Sequence, residues 1–314
     1  MKRSVKMLAL VAVVAVLAIG YLIISNLNKE EYVPPVEETT QMLVELDAGN
    51  ITAISYTNQG KDTIELEYGA NTGKWYLSRD RKFPVEQSIP GYMATVISSI
   101  PLSRVVEQTS ENKATYGLDK PILTVTAVYG SDSYTYMLGD LNSFSGDYYF
   151  MVKGDDAIYS VPAGINDYFA YDLLDIAVVD TIPEMSGDSI TIKSAESSYL
   201  GSEKSPLPVE KTEAIIALIS DIELGAPIDY SFGEADDEKY GFSDNTLTVS
   251  IAYTVTEAVT NSDNSISSNV HIDKNFGITI TTSAAETVYC MVNDSKLIYE
   301  INSKLAFDIV DAAI

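Results

Sequence analysis

The chain has one cysteine, Cys290, one histidine, His271, and one tryptophan, Trp75, in 314 residues. A single thiol cannot close an intrachain disulfide, so stability must come from the core. Zinc sites built from cysteine and histidine are excluded by count. A Ser/His/Asp or Cys/His device would depend on His271 alone, and that residue sits in a polar stretch. Phosphate-cradling glycine loops, nucleophile elbows and EF-hand spacing are missing as well. Basic residues are scarce, 20 against 45 acidic ones, for a net charge of −25. Such a surface repels nucleic acid and anionic lipid, which argues against both as partners. It would attract cations or a basic protein, although solubility in an exposed location is the simpler explanation.

What is present starts with apolar residues, which make up 46% of the chain and suffice for a sizeable core. Lys2, Arg3 and Lys6 precede an uncharged apolar run over residues 7–27. At helical rise those residues span roughly 31 Å, enough to cross a hydrocarbon core. A cleaved signal peptide has a shorter apolar stretch, of about 7–15 residues. The best small-x-small site, Ala18-x-Gly20, lies inside the run, and no cysteine follows it to carry a lipid. The run is therefore read as an uncleaved anchor. Removing the three leading cations leaves 17 basic against 45 acidic side chains, a net of −28. Basic residues stay on the cytoplasmic side, so the expected topology is single-pass in the cell membrane, N-terminus in the cytoplasm and bulk outside it.

Residues 28–40 hold Lys29-Glu30-Glu31, Pro34-Pro35 and Glu37-Glu38 with little apolar periodicity, and read as a stiff, solvated linker. Beyond it the sequence repeats. Tyr116-Gly117-Leu118 returns as Tyr240-Gly241-Phe242, an offset of 124 residues. The same offset relates residues 123–129 to 247–253 and Pro84-Val85-Glu86 to Pro208-Val209-Glu210. Ile97-Ser98-Ser99-Ile100 matches Ile219-Ser220-Asp221-Ile222 after a two-residue slip. Tyr149-Phe150-Met151-Val152 then matches Tyr289-Cys290-Met291-Val292, and Ile158-Tyr159 matches Ile298-Tyr299, at an offset of 140. Phe169-Ala170-Tyr171-Asp172 is echoed last by Leu305-Ala306-Phe307-Asp308. Matches in one order imply a duplicated unit of domain size.

The expected organisation is a basic tail at 1–6, an anchor at 7–27, a linker at 28–40, a first unit at 41–179 and a diverged second unit at 180–314. The fold class is α+β: two tandem units of antiparallel sheet with one helix each, after a single transmembrane helix. Val85, Ile89, Tyr92, Met93, Val96, Ile97 and Ile100 form one apolar stripe at helical spacing. Pro90-Gly91 interrupts it, which predicts that the regular helix begins only there. Ile215, Ile216, Leu218, Ile219 and Ile222, with Pro208 ahead, mark the second helix. Strands are expected at 51–56, 63–68, 74–77 and 123–129, at 134–138, at 148–152 and at 157–161, the last four as a meander. The step from an offset of 124 to one of 140 marks residues 254–275, with His271, as mainly an insertion, expected to be a loop.

Trp75 reads as a core anchor, Cys290 as a buried small hydrophobe equivalent to Phe150, and Tyr134 and Tyr136 as sheet packing. Three acidic clusters, Asp236-Asp237-Glu238, Asp155-Asp156 and Asp140 with Asp147, fall in expected turns. They are weak candidates for calcium or for an acid/base pair. No residue is assigned a catalytic, cofactor-binding or metal-binding role, no cofactor is expected, and the protein is read as not an enzyme.

Several residue groups carry a family resemblance. They are Lys74-Trp75-Tyr76-Leu77, Pro84-Val85 opening a helix, Tyr116-Gly117-Leu118-Asp119-x-Pro121 before a strand, Leu138-Gly139, and residues 149–152. Together they resemble the bacterial domain of unknown function 4340 (DUF4340) family over most of residues 49–169, with a weaker second copy from Asp188 onward. The Tyr-Gly-Leu-x-x-Pro element is the most specific part. In the second copy Phe242-Ser243-Asp244-Asn245 replaces Leu-Asp-x-Pro, and the tryptophan has no counterpart. The resemblance implies an anchored extracytoplasmic accessory, a binding or scaffolding protein working beside ABC-type transport components, and implies no catalytic residues. The competing readings are a cell-wall hydrolase using two carboxylates and a glycan- or solute-binding protein with an aromatic cleft near residues 175–188.

Overall fold

A computed structural model of the chain describes residues 41–243, 245–260, 266–282 and 287–314. The expected anchor and linker lie outside these residues; among the described ones no helix is long and apolar enough to cross a membrane. The protein is mostly antiparallel sheet with a few helices.

The first large sheet comes from alternating segments in which every second side chain is apolar. β2 (Ile51–Asn58), β3 (Ile64–Gly69) and β4 (Lys74–Leu77) form one flank. β7 (Leu123–Tyr129), β8 (Asp132–Leu141), β9 (Asp147–Val152) and β10 (Ile158–Pro162) form the expected meander. The order is β4-β3-β2-β7-β8-β9-β10-β6, closed at the far edge by β6 (Arg104–Glu107). Leu123, Val125 and Ala127 of β7 face inward, opposite Leu138, Tyr136 and Tyr134 of β8, while the intervening threonines face away. β1 (Met42–Glu45) and β5 (Ser99–Pro101) form a separate two-stranded ribbon.

Helix α1 (Ser88–Ser98) covers this sheet with Pro90, Met93, Ala94 and Ile97. It begins two residues before Pro90, contrary to the expectation from Pro90-Gly91. Proline in the first helical turn forfeits an N–H that has no intrahelical acceptor anyway. Tyr92 points outward at 62% exposure, Val85 bridges to Ala177, and Ile100 belongs to β5, so the seven-residue stripe is only partly helical.

The second large sheet runs β12-β11-β14-β15-β16-β17-β13. Its members are β11 (Ile190–Tyr199), β12 (Ser205–Pro206), β13 (Asp229–Tyr230), β14 (Thr246–Thr260), β15 (Ile266–Thr281), β16 (Val288–Val292) and β17 (Leu297–Ile301). Thus β14-β15-β16-β17-β13 follows the same path as β7-β8-β9-β10-β6. One helix per unit does not hold here. After a short turn of helix, α2 (Gly164–Asp167), the second half carries α3 (Val209–Ser220), α4 (Glu234–Tyr240) and α5 (Ser303–Ala313). α5 is capped by Asn302, whose side chain accepts from Leu305 N at 3.0 Å, and it packs on α3. Ala306, Ile309, Val310 and Ala313 supply its buried face, a spacing hidden by the Leu305–Asp308 echo of a segment that is not helical.

The insertion is also a correction. Residues 254–260 and 266–275 are strand rather than loop, lengthening β14 and β15 to 15 and 16 residues of one antiparallel hairpin. Thr254, Val255, Thr256, Val270 and Ile272 are β-branched and favour extended backbone. Cross-strand bonds join Thr254 Oγ1 to Asp273 Oδ1 (2.5 Å) and Thr256 Oγ1 to His271 Nδ1 (3.0 Å). Both large sheets contribute to a single continuous core inside the compact unit Gln41–Ile314.

Candidate functional site

A wide concavity lies on the face of the second sheet that turns away from the helices. β11, β14 and β15 build its floor, with a volume of about 580 Å³. Period-two alternation dictates its chemistry, because Leu247, Val249 and Ile251 point into the core and Thr248, Ser250 and Ala252 line the groove. Ser194, Glu196, Lys204, Asn275, Thr279 and Asn293 complete a wall of hydroxyls, amides and single charges. Lys204 Nζ donates to Ser250 Oγ at 3.3 Å, and Thr248 and Thr279 hydroxyls pair across the strands at 3.2 Å. The groove offers hydrogen bonds to a polar ligand and places no thiol or imidazole among its lining side chains.

The repeated Tyr-Gly element builds the same small assembly twice. Tyr116 packs against Tyr149 at 4.6 Å between centroids, and Tyr240 against Tyr289 at 5.0 Å. Each first tyrosine donates to a carboxylate on the edge strand of its sheet, Tyr116 to Glu107 Oε1 (2.6 Å) and Tyr240 to Asp229 Oδ2 (2.7 Å). Gly117 and Gly241 take left-handed backbone, φ +71° and +83°, directly after the tyrosine. Leu118, Met151 and Ile158 form a second, smaller core on the outer side of the first sheet. The motif is thus a packing device that ties an edge strand to its sheet.

Burial alone would raise the Asp229 carboxyl. Hydrogen bonds from Lys239 Nζ (2.8 Å), Tyr240 Oη (2.7 Å) and Tyr230 N (2.9 Å) outweigh it and hold that carboxyl below the usual carboxylate value. Because the folded value is depressed, the stabilisation is present above the unfolded value, about pH 4, and is lost as pH falls through the folded one. Asp229→Asn should therefore reduce the loss of urea resistance between pH 6 and pH 3. An acid limb as steep as in the unsubstituted chain would show that Asp229 contributes nothing to it.

Segments between the sheets carry two polar clusters that sequence reasoning missed. Asp80, following β4, accepts from Tyr230 Oη of β13 at 2.9 Å, and the Arg79 guanidinium lies 3.4 Å above the Phe232 ring. Asp180 accepts from Ser295 Oγ and from Tyr299 Oη, while its backbone N–H donates to Tyr299 Oη at 2.8 Å. Desolvation raises the Asp180 carboxyl despite those donors. Burial, and after it the nearby Asp180, push the Cys290 thiol up to about 12. Cys290 is fully buried, as is Phe150 at its equivalent position, and a thiol kept protonated is a poor nucleophile. Asp80 and Asp180 did not stand out in sequence, since each acquires its side-chain partners from a distant part of the chain.

Four of the acidic candidates, Asp147, Asp155, Asp236 and Asp237, are engaged in structural hydrogen bonds. Asp236 and Asp237 lie in α4 rather than in a turn, where Asp236 Oδ2 accepts from Phe232 N and Asp237 Oδ1 from Ser231 Oγ. Carboxylates are favoured in a first helical turn by the backbone dipole. Asp155 accepts from Ala157 N and from Tyr159 Oη, and Asp147 from Ser160 Oγ. Asp140 faces Gly117. Among the described residues no group of three His, Cys, Asp or Glu side chains is arranged to hold a metal ion. Trp75 is buried as expected, its backbone N–H donating to Gln87 Oε1 at 2.7 Å. Tyr136 is buried and Tyr134 half-buried on the inner face of β8.

Residues 75–196 match the model of the family described as "Domain of unknown function (DUF4340)". The resemblance read from the Trp75, Pro84-Val85, Tyr116-Gly117-Leu118 and Leu138-Gly139 elements is thereby borne out over a stretch that runs from β4 into β11. No curated protein and no solved structure matches the chain.

Proposed function

We propose that this protein is a non-enzymatic, membrane-anchored extracytoplasmic accessory that binds or scaffolds components of an ABC-type transport or envelope complex. The observation that carries the reading is the uncharged run at 7–27, with three cations before it and a net charge of −28 after it. The DUF4340 match supports the transporter association, which is what resemblance to that family implies. In this reading the folded part is two tandem units, each an antiparallel sheet crossed by one principal helix, α1 or α3. The shared strand path and the twin tyrosine pairs support a duplication.

The test is chemical cross-linking of the full chain in native membranes, followed by affinity purification in detergent. Transporter subunits should co-purify, and a protease added outside the membrane should degrade everything beyond the anchor. Repeated recovery of the chain alone, or protection of the acidic bulk, would sink the reading. A glycan- or solute-binding role is the second reading, favoured by the hydroxyl- and amide-lined groove on the second sheet.

A further inference from the structure

One end of the first sheet carries an uncharged apolar tip, the turn between β8 and β9. Residues 141–146, Leu-Asn-Ser-Phe-Ser-Gly, hold no charge. Phe144 is fully exposed and Leu141 is 51% exposed. The turn backbone is pinned. Asn142 N–H donates to the Asp147 carbonyl and Gly146 N–H to the Asn142 carbonyl, each at 2.8 Å, and Phe144 N–H donates to Asn142 Oδ1 at 3.0 Å. The ring is thus held outward without cover. The described chain begins at the same end of the sheet. The Gln41 carbonyl accepts from Leu102 N–H, and the next residue, Ser103, donates to the Ser160 carbonyl. Ser160 lies two residues before Pro162, which pairs with Asp147 at the foot of the tip. A cleft of about 230 Å³ opens there as well, lined by Val96, Ile100, Pro101, Val161, Pro162 and Ile165 and by no charged side chain. Single exposed apolar residues are ordinary on protein surfaces, whereas an aromatic tip beside an apolar cleft marks an interaction surface.

We propose that this end of the first sheet rests on a lipid bilayer surface, with Phe144 and Leu141 in the headgroup region. The lipid is that of the membrane holding the anchor, so the inference rests on the anchored reading above. The tether joins the folded part at Gln41, so the linker of residues 28–40 leaves from the end that carries the tip. Uncharged aromatic and aliphatic side chains settle at the boundary between headgroups and acyl chains. A second copy of the chain is a poorer occupant, because each copy carries a net charge of −28 beyond the anchor. Exposed Asp140 and half-buried Asp147, which accepts from Ser160 Oγ at 2.9 Å, flank the tip. The surface therefore fits a zwitterionic lipid better than an anionic one.

The test places the full chain in phosphatidylcholine nanodiscs whose acyl chains carry bromine, a short-range quencher of tryptophan emission. Trp75 is buried and supplies a constant background, read from the unsubstituted chain. Phe144→Trp should add an emission at short wavelength that brominated lipid quenches almost entirely. Asp156→Trp, in the exposed turn between β9 and β10 at the opposite end of the sheet, should add an emission that lipid leaves unquenched. Leu141→Trp should be quenched too, and adding Phe144→Ser to it should lower the ratio of docked to free tip about 10-fold, the size expected for one large apolar side chain. All the substituted positions are exposed, so the variants should fold as the unsubstituted chain does. The proposal is overturned if Phe144→Trp escapes quenching, if Asp156→Trp is quenched as strongly, or if Phe144→Ser leaves the Leu141→Trp signal unchanged. Escape from quenching by an incorporated chain would assign the tip to a protein partner and leave the anchor intact. A chain that elutes apart from the discs would remove the anchor, and this contact with it.

Discussion

Gly139→Ala is expected to destabilise the folded chain by about 3 kcal/mol or more, read as a fall in urea midpoint and melting temperature. A Cβ at position 139 would lie 2.1 Å from the Tyr116 carbonyl oxygen and 3.0 Å from Leu118 Cγ. The first obstacle is backbone, so no side-chain rotation relieves it. Gly139 falls where the register of β8 against β9 shifts, a bulge that lets the Tyr116 loop press against the strand. Gly117 completes the interlock: at φ +71° a Cβ would also meet Asp140 Oδ1 at 2.5 Å and the Asp140 N at 2.9 Å. A control in the turn at Gly130, where nothing lies within 4 Å of a Cβ, should cost far less, only the strain of a left-handed residue. Equal losses at 130 and 139 would show that the Tyr116–Gly139 contact carries no stability.

The second large effect is expected at Tyr230, where β13 meets the Asp80 segment. Its ring is fully buried and packs edge-on against Phe83 (5.0 Å) and Phe232 (4.7 Å). Tyr230→Ala should cost about 4 kcal/mol, the loss of a large aromatic plus the cavity it leaves. Tyr230→Phe keeps the packing and removes only the 2.9 Å bond to Asp80, which should cost about 1 kcal/mol. A double-mutant cycle with Asp80→Ala separates the two contributions, because the hydrogen-bond part should vanish once Asp80 is absent. A cycle with no coupling would mean that the phenol and carboxylate do not act as a pair. Since Asp80 follows the first sheet and Tyr230 belongs to the second, such variants should also broaden the unfolding transition as the sheets lose their shared contacts.

The strands were the most legible part of the sequence. Strands were expected at 123–129 and 134–138, and β7 and β8 occupy them, with Leu123, Val125, Ala127, Tyr136 and Leu138 buried. The Tyr-Gly repeat was legible as a repeat, and glycine suits the left-handed backbone that the structure gives both Gly117 and Gly241. α5 was missed for a physical reason. Its apolar residues are mostly alanine and β-branched, and its cap is one asparagine whose role depends on where β17 ends. The long hairpin was misread because its strands are largely polar. Polar alternation signals a strand only when a partner strand is known, and each half of the hairpin is the other's partner.

Sequence alone determined the elements whose cause is local: the duplicated alternation, the helix after Pro208, the burial of Trp75 and Cys290, and the family to which residues 75–196 are similar. Tertiary structure decided whatever depends on residues far apart in the chain. Asp80 with Tyr230, Asp180 with Ser295 and Tyr299, Gly139 beneath the Tyr116 carbonyl, and β1 beside Tyr136 all join segments separated by more than 20 positions. Periodicity records which face of a segment is apolar and leaves unspecified which distant segment covers it. The grooves and the buried polar contacts arise only when that cover is in place.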